Sequence, residues 1–333
     1  MVRLFALLLA LAACDSSPTP PDSGPSAWSV AATLPRPRLE PGVAALGQQV
    51  VIVGGFDTSL RDGLEITAAI DAWDSAANTW STLTDAPVRW THANVAVVGA
   101  TLYLVGGLEG TQFIARGNGY ALNPVGHTWH PIASLPPGEE RGAAGVVTAP
   151  GRIYLLGGAS STGALASCLE YDETTDRWTQ LPPLPAPRSH LAAMRMVDGT
   201  LIAAGGLATL DSSDPRGEVW ALSPPGATPR VWVARTPMHA AGSPDLHGGC
   251  AYGVALGQLV CAGGEAGSDA RDVVDSYDPY LDVWMPREAM PSARAGTQGT
   301  AVGGRLYVPG GAQTLTFNPT DSLFVFTPLD TAH

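Results

Sequence analysis

Five arginines recur at a near-constant distance ahead of a Gly-Gly pair. Arg38, Arg89, Arg141, Arg188 and Arg294 each stand 16 or 17 residues before one, and His247 takes the remaining place. A guanidinium presents a planar fork that holds carboxylates bidentately. Several of them brought to one place read as a seat for an anionic ligand. Just after the pairs stand Asp57, Glu109, Ser160, Thr209, Glu265 and Gln313. Asp57 joins the ligand-binding set, and Glu109 and Glu265 are the carboxyls available for acid–base work. The richest local group is Arg89-Trp90-Thr91-His92, where an aromatic platform beside a cation suits a sugar ring.

Residues so far apart in the chain act together only if a repeat stacks them. Gly54-Gly55, Gly106-Gly107, Gly157-Gly158, Gly205-Gly206, Gly263-Gly264 and Gly310-Gly311 follow one another at steps of 52, 51, 48, 58 and 47 residues. Each ends a short apolar run. Trp28, Trp80, Trp129, Trp178, Trp232 and Trp284 form a second series interleaved with the first. Within one repeat, Ala93 to Val98 reads as a strand and Gly99-Ala100 as a turn. Thr101 to Val105 is a return strand rich in β-branched and aromatic residues. Gly119 to Leu122 is a third strand, and a last strand carries Trp129. The third strand has an aromatic in most blades: Trp73, Tyr120, Tyr171, Trp220, Tyr277 and Phe324. The chain opens on a Trp with no pair before it and closes on a pair with no Trp after it. A ring resolves both, with the segment around Trp28 supplying the outer strand of the last sheet.

These interleaved residues resemble the kelch-repeat family over about 28 to 327. The resemblance implies an all-β, six-bladed β-propeller with one four-stranded sheet per repeat, closed by the N-terminal strand around Trp28. It also implies that function sits on the face formed by the loops after the Gly-Gly pairs and by the connections entering each blade. On that face Arg38, Arg89, Trp90, Arg141, Arg188, His247, Arg294 and Asp57 are expected to meet a ligand. The alternative for each arginine is a bridge between blades through backbone carbonyls, and for Trp90 it is packing between blades. A copper centre like that of galactose oxidase does not fit, since the repeats number six rather than seven and nothing suggests a Cys-Tyr crosslink.

The 333 residues make one ring, 45% apolar and 14% charged. The net charge is −12 and all 18 basic residues are arginine. Such a chain is a poor nucleic-acid binder, and it has no lysine for Schiff-base chemistry. Residues 1–13 read as a signal peptide with Arg3 before a short apolar core. Leu11-Ala12-Ala13-Cys14 resembles a bacterial lipobox, which implies lipidation of Cys14. Residues 14–27 make a Ser/Pro-rich tether, and 328–333 a C-terminal tail. The expected place is the bacterial cell envelope, lipid-anchored, as a monomer. Cys250 and Cys261 flank the turn at Leu256-Gly257, where an oxidising compartment permits a disulfide; the alternative is two small buried residues. His239, Asp245 and His247 before blade 5, and Asp211, Asp214 and Glu218 in blade 4, are ligand types on loops. No metal or cofactor is assigned to either group. The functional expectation is a binding or scaffold module for a glycan or protein ligand. The alternative rests on a resemblance to sialic acid mutarotases, six-bladed kelch propellers of the bacterial envelope. It implies a carbohydrate epimerase or mutarotase acting on an anionic sugar, with Glu109 or Glu265 as acid or base and Arg89 or Arg141 as the clamp.

Overall fold

The computed structural model describes residues 27–57, 65–123, 125–210, 213–240 and 242–328. The leader, Cys14 and nearly all of the tether lie outside them, as do Asp211 and Ser212. Among the described residues all the strands belong to an all-β propeller of six blades. In blade 3, Gly145–Ala149, Arg152–Leu156, Cys168–Asp172 and Arg177–Leu181 pair in chain order. The strand Arg152–Leu156 is buried from Ile153 onward, whereas the outer strand alternates exposed and half-buried residues. Neighbouring blades cover both faces of the middle strands, so these read as continuous apolar runs. The first strands of the blades, Gly42–Leu46, Val95–Val98, Gly145–Ala149, Ala192–Arg195, Ala251–Ala255 and Thr300–Val302, touch one another in a closed circle. They surround the axis.

The last blade is completed from the other end of the chain. Its order is Thr300–Val302, Arg305–Pro309, Thr320–Thr327 and then Ala27–Arg38. The closing pair is antiparallel, with Trp28 opposite Phe326 and Val30 opposite Phe324. The tryptophan series shows that this seam obeys the rule of the other blades. Trp178, Trp232 and Trp284 donate their indole N–H to the carbonyls of Ala133, Pro182 and Thr236, each in the connection leaving the preceding blade, at 2.9, 2.8 and 3.1 Å. Trp28 does the same to Glu288 at 2.9 Å, 260 residues away in sequence.

The Gly-Gly pairs are joints between blades. The second glycine N–H donates to a carbonyl in the segment entering the next blade: Gly55 to Trp90 at 2.9 Å, Gly158 to Arg188 at 2.8 Å, Gly264 to Arg294 at 2.6 Å and Gly311 to Arg38 at 2.8 Å. The first glycine lies under that carbonyl. At Gly310 φ is +62°, and an added Cβ would come 2.5 Å from the Arg38 oxygen. Both the backbone conformation and the close approach therefore require glycine.

Two details differ from the sequence reading, and in a third the structure takes one of the two alternatives it left open. In blade 2 the return strand does not stop at the Gly-Gly pair. Thr101–Glu109 runs through it and takes Trp90-Thr91 as an extra partner. The third-strand aromatics fall at two positions. Opposite the outer tryptophans stand Trp73, Leu122, Tyr171, Leu222, Tyr277 and Phe326, so Tyr120, Trp220 and Phe324 sit two residues earlier on the same side of the strand. Cys250 and Cys261 are joined in a disulfide with Cα atoms 5.4 Å apart. Ala251 pairs with Ala262 and Tyr252 with Cys261, so the cysteines are diagonal rather than opposite neighbours. Cys168 is a buried thiol whose pKa burial pushes up to about 11.

Candidate binding site at the propeller axis

Each blade is entered through a short segment whose bridge to the Gly-Gly loop fixes its alignment. The bridges join Leu39 to Phe56, Thr91 to Leu108, Gly142 to Ala159, Ser189 to Leu207, Gly248 to Glu265 and Ala295 to Ala312. The residues just before them are equivalent: Arg38, Trp90, Arg141, Arg188, His247 and Arg294. Trp90, not Arg89, therefore holds the arginine place in blade 2. Arg89 lies outside the ring and donates to the Ile66 carbonyl at 3.2 Å.

The ring does not face solvent. All six of these residues are buried, and five of them meet one fixed position on the third strand of their own blade. Arg38 bonds Asp71 at 2.8 Å and Asp57 at 3.0 Å. His247 bonds Asp275 at 3.3 Å. The Arg188 and Arg294 guanidiniums lie 4.9 and 4.5 Å from the rings of Trp220 and Phe324. Trp90 packs on Tyr120 at 6.2 Å. A carboxylate or an aromatic face thus sits against each of these guanidiniums and the imidazole, and an aromatic against the one aromatic. Arg141 instead donates to the carbonyls of Gly157 and Ser167, both at 2.8 Å, and pairs with Glu139. Burial holds Arg38, Arg141, Arg188 and Arg294 below the usual arginine pKa. The solvent-facing anion seat is corrected to an internal brace, because a blade interior closed to water needs side chains that satisfy its own carbonyls and carboxylates. Asp57, also fully buried, is part of it.

Two residues beyond the ring lies a collar. Glu40, His92, Ala143, His190, Gly249 and Gly296 all have positive φ, between 48° and 63°. In four of them that conformation aims the amide at the carbonyl of the preceding blade. Glu40 donates to Gly296 at 2.7 Å, His92 to Glu40 at 3.0 Å, Ala143 to His92 at 2.8 Å and His190 to Ala143 at 2.8 Å. Glycine takes this backbone freely, and other residues lose about 1 kcal/mol or more in it. Gly249 and Gly296 are the unforced choices. Glu40, His92 and His190 are not, and their side chains converge on the axis.

His92 Nε2 lies 3.1 Å from a Glu40 oxygen. The His92 and His190 rings meet edge to face at 5.1 Å. Their Nδ1 atoms rest against Thr91 Oγ1 and Ser189 Oγ, each at 3.0 Å. With Glu265, Tyr252, Thr297 and Gln298 they line a cavity of about 30 Å³. Tyr252 Oη accepts from the Val146 amide at 2.9 Å, and Gln298 Oε1 accepts from Val43 at 3.2 Å. These two side chains floor the cavity and part it from a channel of about 380 Å³ lined by the innermost strands. Burial lowers both imidazoles to a pKa of about 4 and raises Glu40 above the usual carboxylate range.

A second cluster looks similar and is different. His239 and His247 approach one oxygen of Asp275 at 2.9 and 3.3 Å. In blade 1, Arg36 and Arg38 approach Asp71 at 3.3 and 2.8 Å from the same side of the fold. The histidines repeat that brace with imidazoles. Asp245 stays exposed on its loop. In blade 4, Asp214 and Glu218 pair with Arg216 and Arg188.

Glu109 is exposed and tied to Arg116 at 2.7 Å, whereas Glu265 forms part of the axial cavity wall. The same face carries residues that lie outside any periodic series and escape a sequence search. Phe113 and Phe317 pack on Phe56 at 6.2 and 5.3 Å, and Phe113 also meets His92 at 5.5 Å. Phe317, Leu210 and Ile114 are exposed, Phe317 by 56%. Glu40 and His190 also escape such a search, though both follow a ring position by two residues.

The histidines set a pH dependence. Unfolded, each takes a proton near pH 6.5; folded, near 4. The unfolded chain binds more protons between those values, so their contribution to stability is present above pH 6.5 and lost as pH falls toward 4. Glu40, with its raised pKa, acts in the opposite sense just above the carboxylate range. The urea midpoint of a His92→Gly/His190→Gly variant should fall less between pH 6.5 and 4 than that of the wild type. Parallel profiles would contradict burial of the two imidazoles as neutral groups.

Comparison with known proteins agrees with this architecture. A family profile for the kelch motif matches residues 140–185. Kelch-like protein terF of Aspergillus terreus is 30% identical over 330 residues, covering 92% of this chain and 69% of its own length. Kelch-like protein 35 of Mus musculus is 28% identical over 66% of this chain, which spans only 38% of that relative. The solved structure of YjhT superposes with a TM-score of 0.76 at 18% identity, over 91% of this chain and 98% of YjhT. That likeness is one of fold. The braces, joints and closing strand are those of a six-bladed propeller built from such motifs, and the chain belongs to the kelch-repeat family.

Proposed function

We propose that the chain is a binding module of the bacterial cell envelope, held at a membrane surface through lipid on Cys14 and acting as a monomer. A protein or glycan ligand docks on the face of the Gly-Gly loops. The observation that supports this reading is the aromatic patch beside the axial mouth. Phe113 and Phe317 meet Phe56 edge to face, and Phe317 and Ile114, the latter next to Phe113 in the chain, are exposed. Aromatic side chains on a rigid support are the usual anchors of an interface, with charged groups on its rim. Here the rim charges are Glu40, Glu265 and the Glu109–Arg116 pair.

The anionic-sugar mutarotase needs a guanidinium clamp and a cavity around the sugar. The ring arginines are buried in their braces, and Arg89 is bonded to Ile66. The axial cavity of about 30 Å³ admits a water or an ion, whereas pockets for small organic molecules run to about 300–1,000 Å³. Binding without turnover is the reading these features favour.

A ligand found by glycan array or by capture from envelope extract should protect amides at 111–116 and 313–319 from hydrogen exchange. Phe317→Asp should weaken it about tenfold or more, and the protein should not speed anomer exchange of sialic acid. Protection confined to the hairpin turns near 47, 99 and 256 would place the site on the opposite face. Separately, Cys14→Ser should release the chain from the membrane fraction and abolish palmitate labelling. Retention in that fraction would remove the lipid tether.

A further inference from the structure

The collar carries three costly side chains where the fold asks for none. Ala143, Gly249 and Gly296 show that the backbone ring forms without a functional group. Glu40, His92 and His190 hold a positive φ that glycine would take without strain, and they place one carboxylate and two imidazoles on the axis. Their donor atoms all lie within 4.8 Å of one another.

A hydroxyl lies against Nδ1 of each imidazole and can accept its proton in a hydrogen bond, the tautomer that leaves Nε2 free. Thr91 Oγ1 donates to the Leu108 carbonyl at 3.4 Å, and Ser189 Oγ to the Thr209 carbonyl at 3.2 Å. With their protons so placed, both hydroxyls accept from Nδ1–H of the adjacent histidine. The Nε2 lone pairs then point to the axis. An orienting partner on the far ring nitrogen is the arrangement that metal-bound histidines have. It sets the His92 lone pair 3.1 Å from a Glu40 oxygen. Two acceptors at that distance repel unless a cation or a proton lies between them.

We infer that the axial collar is a metal site, in which His92 Nε2, His190 Nε2 and a Glu40 carboxylate oxygen hold one divalent transition-metal ion of the zinc and iron class. Two imidazoles and one carboxylate suit these metals. Donors of one such ion stand about 3.3 Å apart; His92 and Glu40 already do, and the wider gaps of the triad close by up to about 1.5 Å on binding. The cavity of about 30 Å³ has room for the ion and one water. Its mouth leaves a coordination position facing the Gly-Gly loops. The second cluster does not share this case, because blade 1 reproduces it with arginines. The inference concerns the collar alone and stands whether or not a macromolecule docks on the outer face.

The test uses the full mature chain without a histidine tag, stripped with chelator and then titrated with Zn²⁺ by calorimetry. One equivalent should bind, and Co²⁺ in its place should give the visible absorption of an imidazole-ligated ion. His92→Gly and His190→Gly should each lower affinity more than about a hundredfold while melting at or above the wild-type temperature, because glycine suits their backbone. His127→Ala and His130→Ala, in the outer strand of blade 2 and the turn before it, should bind as the wild type does. Failure of the wild type to take up Zn²⁺ at tens of micromolar would overturn the site, and so would unchanged binding by the glycine variants. If those variants misfold, Glu40→Gln and the wild-type cobalt spectrum decide; a spectrum without imidazole ligation overturns it equally.

Discussion

The bond from the second glycine to the carbonyl entering the next blade, made at Gly55, Gly158, Gly264 and Gly311, is the constraint from which the rest of this propeller follows. It fixes the distance between neighbouring sheets at a point near the axis. It forbids a side chain on the first glycine, whose Cβ would strike the same carbonyl. It also fixes the direction in which the chain arrives. The residue carrying that carbonyl turns its side chain into its own blade, and two residues later the backbone has swung into the left-handed region at the collar. Joint, brace and collar are therefore one device repeated around the ring.

The same residue types do different work at adjacent stations of that device. His247 sits at the brace, where sister blades have a guanidinium, and its environment is a carboxylate and a carbonyl. His92 and His190 sit two positions further on, where sister blades have Glu40, Ala143, Gly249 and Gly296, and each turns one nitrogen to a hydroxyl and the other to the axis. The brace balances charge inside a blade, which is a requirement of burial. The collar gathers polar groups at a cost in backbone strain, and strain of that kind is kept where it serves a site.

The sequence carries the architecture plainly, because periodicity survives in one dimension. The Gly-Gly and Trp series give the blade number, and the unmatched Trp28 gives the closure. The fate of the arginines is not legible in the same way. Whether a guanidinium faces solvent or its own blade depends on the third-strand partner, and Asp71, Trp220 and Phe324 carry no mark of that pairing. The offset of 16 or 17 residues also hid the exchange of Arg89 for Trp90, since one residue decides which of them enters the ring. Glu40, His92 and His190 are 52 and 98 residues apart, beyond the reach of any local ligand motif. Only rotation about the axis brings them together. The aromatic patch of Phe56, Phe113 and Phe317 is formed by three loops in the same manner.

A closed ring requires the joints to be alike, the seam between the two chain ends included. Native-state hydrogen exchange of the second glycines measures this directly. Gly55, Gly158, Gly264 and Gly311 should exchange together, at the slow rate set by global unfolding. A Gly311 amide that exchanges orders of magnitude faster than the other three would mean that the ring opens between Arg38 and the last blade, and the common joint would be lost as the organising constraint.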